Sequence, residues 1–375
     1  MNWAGLAAVM LILVAGDVAS ADSPQLTPDA IAARMGQIDG LVSAEMSRQK
    51  VPGVALAIVS HGKVVAAKGY GYSNLELRVP VTPATLFQSG SVGKQFTAAA
   101  IMLQVEDGKL ALDDSITRYF TDAPRTWQPI TVRHLLTHTS GIADYTEHEF
   151  DPRRDYTEDE LARLTYKLPL QFRPGERWSY SNTGYVLLGI LVHKVSGQFF
   201  GDVLRERVFK PLGMKTARVI SEADIIPDRA AGYRLENGEL KNQEWVSPSL
   251  NRVGDGSLYL SLLDYIAWDR GLRAGEILEP ASWKQVYTPV SLAGGKTFPY
   301  GFGWGVNESK GAPLYHHGGA WQGFCTYIAR YLADDLTIVV LTNRAEAAPE
   351  RIVDAITRIL DSRIAKVEHS RGLAE

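Results

Sequence analysis

The apolar, β-branched runs of this chain are gathered at its two ends, and that distribution restricts the folds open to it. Gly53 to Ser60 and Val64 to Tyr72 read as strands joined by a tight turn at His61-Gly62. Strands return only at Tyr300 to Val306, Cys325 to Tyr331 and Leu336 to Thr342. Between them the spacing is helical, best at Ser91 to Glu106, Val132 to Thr137, Glu158 to Tyr166, Thr183 to Val195, Phe199 to Val208 and Leu262 to Leu272. Pro28 to Lys50 adds an amphipathic helix ahead of the first strand, Asn237-Gly238 marks a hairpin, and Arg351 to Leu360 closes the chain as a helix. Strands at both ends of a helical middle predict an α/β (α+β) fold. One antiparallel sheet is built from both termini and flanked by helices, with a mostly helical lobe inserted. The helical lobe is expected over roughly 91–250, and the α/β lobe over roughly 28–90 and 251–375.

The chain has 375 residues, 45% of them hydrophobic and 22% charged, so it carries ample apolar material for a large core. Its formal net charge of -3 and the lack of any Lys/Arg-rich run point away from nucleic acid. Ala4 to Gly16 is apolar and is followed by Ala19-Ser20-Ala21, which reads as a signal peptide over residues 1–21 cleaved before Asp22. A periplasmic or secreted protein is expected, with no stable membrane span after cleavage. The one cysteine, Cys325, excludes an intrachain disulfide and reads as a small residue filling a strand.

Chemistry concentrates first at Ser91-Val92-Gly93-Lys94. An unassisted serine hydroxyl is a poor nucleophile and needs a base. A lysine at i+3 lies on the same helical face, and burial lowers its pKa toward that role. The first turn of a helix also offers unpaired backbone N–H groups to an oxyanion. Two other matches, Ser47-Arg48-Gln49-Lys50 and Ser60-His61-Gly62-Lys63, fall at a charged helix end and in a hairpin turn. Ser91 instead leads into the buried-helix pattern Phe96 to Leu103.

A serine–lysine pair needs partners. Tyr180-Ser181-Asn182 offers a tyrosine to share the proton and an asparagine to orient the lysine or bind substrate, on a loop entering the helical lobe. The similar Tyr72-Ser73-Asn74 closes a strand and reads as a turn. A third element is His317-Gly318-Gly319-Ala320, where glycine lets backbone approach a ligand closely. The spacing to Gly323-Phe324 selects His317 over His316.

With these elements in order, the chain resembles the beta-lactamase-related serine hydrolases, a group that includes class C beta-lactamases, DD-peptidases, D-aminopeptidases and related esterases. Gly69-Tyr70-Gly71-Tyr72, Gly108-Lys109-Leu110, Arg133 to Gly141, Tyr180 to Tyr185 and Pro211-Leu212-Gly213-Met214 match further landmarks in family order, over nearly the whole mature chain. The resemblance implies that Ser91 attacks a carbonyl, that Lys94 and Tyr180 take and return the proton, and that water releases the acyl group. Either of the two is the base. It implies an oxyanion hole from the N–H groups of Ser91 and Ala320, substrate contacts from Asn182 and Gly319, and His317 on an edge strand facing the substrate.

One departure bears on the substrate. Many beta-lactamases and DD-peptidases carry Lys-Thr-Gly where this chain has His317-Gly318-Gly319, so a fixed positive charge for a substrate carboxylate is missing or weakened. The expectation is an exported serine hydrolase acting on an ester, amide or D-residue peptide. The alternatives are a penicillin-binding beta-lactamase or DD-peptidase, or a noncatalytic sensor of cell-wall peptide or penicillin. No cofactor and no metal are expected: His134 and His138 are spaced i, i+4, but Leu135 stands where zinc peptidases place an acid. Tyr145, Phe150 and Trp245, in the loops expected to choose the substrate, are candidates to line the pocket, with plain packing the alternative reading.

Overall fold

The computed structural model describes residues 26–364 except 149 and 249–251; the expected signal peptide lies outside the described residues. Seven strands form the main sheet: β1 (Gly53–Ser60), β2 (Lys63–Asn74), β3 (Val79–Pro80), β4 (Gly305–Ser309), β5 (Ala312–Trp321), β6 (Phe324–Tyr331) and β7 (Leu336–Thr342). Their spatial order is β4-β5-β6-β7-β1-β2-β3, so the first N-terminal strand pairs directly with the last C-terminal one. That pairing is antiparallel, with Val54 opposite Thr342, Leu56 opposite Val340 and Ile58 opposite Ile338. One antiparallel sheet built from both ends of the chain is the architecture the strand distribution predicts.

Strands β1, β6 and β7 are buried along their whole length, which explains why they read as continuous apolar runs. Each face has its own core. Val54, Leu56, Ile58, Ile338 and Val340 pack with the helices α1 (Pro28–Ala32), α2 (Met35–Gln49) and α6 (Pro349–Leu360). Ala55, Ala57, Val339 and Leu341 belong to the larger cluster that includes α3 (Lys94–Glu106), α4 (Asn182–Ser196) and α5 (Leu262–Ala274). The small alanines on that face of β1 let the helical layer approach closely. Helix α4 buries every residue from Thr183 to Val192, a core helix rather than a surface one. No single helix among the described residues is long and apolar enough to cross a membrane.

A buried charge cluster fastens α5 to the sheet. Asp269 accepts from Arg330 Nε at 3.1 Å, from Thr337 Oγ1 at 2.7 Å and from Arg273 Nε at 2.6 Å. Both Asp269 and Arg330 are buried, so each charge has its counterpart where water cannot supply one.

Three expected elements differ. The N-terminal helix is two helices, because the chain turns at Ala33–Arg34, where the Arg34 guanidinium donates to the Leu360 carbonyl at 3.2 Å. The strand expected over Tyr300 to Val306 begins only at Gly305. Residues 300–304 instead fold against α3, and Gly303 adopts φ +74° where a Cβ would sit 2.8 Å from the Lys94 backbone. The helix expected from Ser91 starts as a 3-10 turn over Gly90–Gly93 and becomes α-helical at Lys94. In a 3-10 turn, side chains three apart eclipse, which stacks Lys94 directly over Ser91.

Candidate active site

Lys94 is fully buried at the start of α3, and its ammonium is held by three acceptors. It donates to Ser91 Oγ at 2.9 Å, to Asn182 Oδ1 at 2.8 Å and to the Asp255 carbonyl at 2.6 Å. Of these, the amide oxygen and the backbone carbonyl can only accept. A neutral Lys94 amine has two hydrogens, which those two acceptors hold, and its lone pair is then left facing Ser91 Oγ. Burial pushes the Lys94 pKa down to about 8, against the opposing charges of Asp255 and Asp144. The neutral base is therefore accessible near physiological pH.

Tyr180 closes the pair from the other side. Its hydroxyl is buried, makes no well-formed hydrogen bond among the described residues, and is raised well above the ordinary tyrosine range by burial, with Ser91 acting in the opposite direction. Lys94 Nζ sits 4.9 Å from the centre of the Tyr180 ring, a cation–π contact that holds the two side chains together. A tyrosine in this state keeps its proton and relays or donates it.

The geometry at the expected oxyanion hole depends on glycine. Strand β5 runs so close to the 3-10 turn that a Cβ on Gly319 would lie 2.2 Å from Ser89 O and 2.9 Å from Ser91 N. Gly90 adopts φ +51°, and a Cβ there would lie 2.5 Å from Ala320 N. The backbone nitrogens of Ser91 and Ala320 thus border the same gap. Thr326 Oγ1 donates to Ser89 O at 2.6 Å and Ser89 Oγ donates to Gly256 O at 2.9 Å, which fastens the turn from both sides.

The gap opens into a cavity of about 510 Å³ lined by Ser91, Tyr145, Tyr180, Asn182, Asp255 and Ala320 among others. Tyr145 takes its expected place in that lining, with Phe150 packed edge-on behind it at 4.8 Å. Trp245 is exposed and is not among the lining residues. Asp255 escapes a sequence reading, since Gly254-Asp255-Gly256 is a short loop with no motif value alone. Its carbonyl holds Lys94, its carboxylate accepts from Tyr145 Oη at 3.0 Å, and burial raises its pKa against the pull of Lys94.

His317 departs from its expected position. Strand β4 pairs with β5 only as far as His316, so β5 does present a free edge from His317 onward. The His317 ring, however, is completely buried and does not line the cavity among the described residues. It points to Tyr300, whose Oη lies 3.0 Å from His317 Nε2, and its Nδ1 contacts the Gly318 carbonyl. Burial, reinforced by Lys94, pushes its pKa down to about 3. His134 and His138 do not converge on a common point: His134 completes a capping box with Thr131, while His138 stacks on Tyr180 at 4.3 Å.

The fold is similar to those of solved penicillin-binding-protein-like structures. The octameric penicillin-binding protein homologue from Pyrococcus abyssi is similar with a TM-score of 0.77 and 31% identity, over 88% of this chain and 78% of that one. The D-amino acid amidase from Ochrobactrum anthropi SV3 is similar with a TM-score of 0.76 and 26% identity, over 88% of this chain and 99% of that one. The chain belongs to the beta-lactamase family, whose model, described as Beta-lactamase, matches residues 38–361. Among relatives, penicillin-binding protein 4* of Bacillus subtilis (strain 168) is 33% identical over 313 residues, 76% of this chain and 68% of that protein. D-aminopeptidase of Gluconobacter oxydans (strain 621H) is 31% identical over 323 residues, 83% of this chain but only 59% of that protein.

Proposed function

We propose that this protein is an exported serine hydrolase, periplasmic or secreted, that works through a Ser91 acyl-enzyme on an ester, amide or D-residue peptide. The observation that carries the reading is the Lys94 amine, held by Asn182 and the Asp255 carbonyl with its remaining position on Ser91 Oγ. Ser91 Oγ adds to the substrate carbonyl carbon and its proton passes to Lys94 Nζ. The carbonyl electrons move onto oxygen, where the Ser91 and Ala320 N–H groups receive them. Lys94 returns the proton through the Tyr180 hydroxyl to the leaving nitrogen or oxygen as that bond breaks, and the acyl group stays on Ser91. Water then repeats the sequence: it gives its proton to the Lys94–Tyr180 pair, its oxygen bonds to the acyl carbon, and Ser91 leaves with a proton restored.

The neutral, buried His317 supports uncharged esters and amides over substrates that need a cation for their carboxylate. The resemblance to D-aminopeptidase and D-amino acid amidase supports a D-residue at the scissile carbonyl. The test is the intact mass of the protein over time with activated esters, D-amino-acid amides and a penicillin, with Ser91→Ala in parallel. The expected result is turnover of an ester or D-amide, an acyl adduct on the wild type, and neither on Ser91→Ala. Turnover that survives Ser91→Ala overturns the proposal. A penicillin adduct that persists or decays would move the reading toward a DD-peptidase or a beta-lactamase respectively.

A further inference from the structure

A chain of hydrogen bonds, His138–Tyr300–His317, joins the loop before α4 to strand β5, and each of its ends is a backbone group of fixed polarity. At one end the Ser181 N–H donates to His138 Nδ1 at 3.1 Å. A ring nitrogen that accepts carries no hydrogen, so neutral His138 holds its proton on Nε2. There it donates to Tyr300 Oη at 3.2 Å, and the Tyr300 hydroxyl in turn donates to His317 Nε2 at 3.0 Å. The remaining His317 proton is then on Nδ1, where the Gly318 carbonyl accepts it. The same assignment follows from the other end. A carbonyl only accepts, so the nitrogen facing it must carry the hydrogen. Tyr185, which with Tyr180 is coupled to Tyr300, gives its own proton to Leu136 O at 2.9 Å and so does not donate to Tyr300.

We infer that His138, Tyr300 and His317 form a one-directional relay that fixes His317 in its Nδ1–H tautomer and orients the Gly318–Ala320 segment bordering the oxyanion hole. All three are positioning residues. Backbone groups two residues apart on a strand leave by the same edge, so anchoring the Gly318 carbonyl sets the edge from which the Ala320 N–H projects. The titratable groups facing the two rings are Lys94 on α3, His317 and His138 themselves, and the neutral Tyr180, Tyr185 and Tyr300 rings packed at an angle beside them. Burial and the Lys94 charge both disfavour a second proton on either histidine. With its Nε2 occupied by Tyr300, His317 neither takes the Ser91 proton nor offers a cation to the substrate, which leaves the proton transfers to Lys94 and Tyr180.

The relay depends on the proposed acyl-enzyme only for its effect on rate. Its test is long-range proton–nitrogen NMR of the full protein labelled with 15N-histidine, with the two signals assigned by their loss in His138→Asn and His317→Asn. At pH 7 the expected spectrum shows His138 as the Nε2–H tautomer and His317 as the Nδ1–H tautomer, neither titrating down to about pH 5. In Tyr300→Phe the Gly318 carbonyl still holds the Nδ1 hydrogen but Nε2 loses its donor, so the His317 Nε2 signal is expected to shift, and kcat to fall roughly tenfold while KM stays within about twofold. A His317 that is charged or Nε2-protonated at pH 7 in the wild type overturns the inference, and that spectrum decides even if Tyr300→Phe does not fold. Unchanged His317 signals in a folded Tyr300→Phe protein overturn it as well. Ser91→Ala protein keeps both tautomers if the relay is right, so retained activity in that variant would sink the acyl-enzyme and leave the relay standing.

Discussion

If Lys94 is the base, the rate must follow the fraction of its amine that is neutral. Its pKa falls from 10.5 to about 8 because burial outweighs the nearby acids Asp255 and Asp144. That displacement corresponds to about 3 kcal/mol of net preference for the neutral form, at roughly 1.4 kcal/mol per unit. About a tenth of the amine is neutral at pH 7 and about nine tenths at pH 9, so kcat/KM for a non-titrating ester should rise roughly tenfold across that interval and then level. Asp255→Asn removes the largest charge holding the pKa up, so the midpoint of the rise should move to lower pH. Initial rates with an activated ester, buffered between about pH 6 and 10, measure both profiles. A flat profile, or a midpoint that stays put or climbs in Asp255→Asn, would refute Lys94 as the base. The sign also runs through stability. Lys94 binds its proton less tightly folded than unfolded, so between about pH 8 and 10.5 the unfolded chain holds the extra proton and stability from this group rises with pH. Below about pH 8 the cost of the buried charge is fully present.

Two further predictions concern the scaffold. Gly319→Ala places a methyl group 2.2 Å from Ser89 O and 2.9 Å from Ser91 N, so β5 and the nucleophile turn must separate. The expected loss in kcat is about a hundredfold, the scale of one oxyanion donor, and wild-type kcat in a folded Gly319→Ala enzyme would disprove the close approach. Asp269→Ala leaves Arg330 buried without its carboxylate and takes one acceptor from each of Thr337 and Arg273, so urea denaturation should report a loss of about 3–5 kcal/mol. A loss under about 1 kcal/mol would mean that α5 is held to the sheet by apolar packing alone.

Much of this protein follows from local sequence. The runs Gly53–Ser60 and Leu336–Thr342 announce buried strands because both of their faces meet apolar layers, and a strand covered on both sides has no polar positions to interrupt it. Ser91 and Lys94 are legible because their partnership spans three residues and a single turn delivers it. Tyr180 and Asn182 are legible as a short triplet opening a helix. What the tertiary structure decided involves partners far apart in the chain, where no local pattern exists. Asp255 reaches Lys94 across 161 positions through a carbonyl, a group every residue has. Tyr300 sits in a run that reads as strand, yet the close approach of Gly303 to α3 turns that run inward, so that its hydroxyl meets His317 and His138. The sequence named His317 as a site residue, but only the folded chain determined that its ring is buried, uncharged and engaged with Tyr300. The reason is physical: residue type and periodicity select local conformation, whereas protonation and orientation depend on groups that only the folded chain brings within a few ångströms.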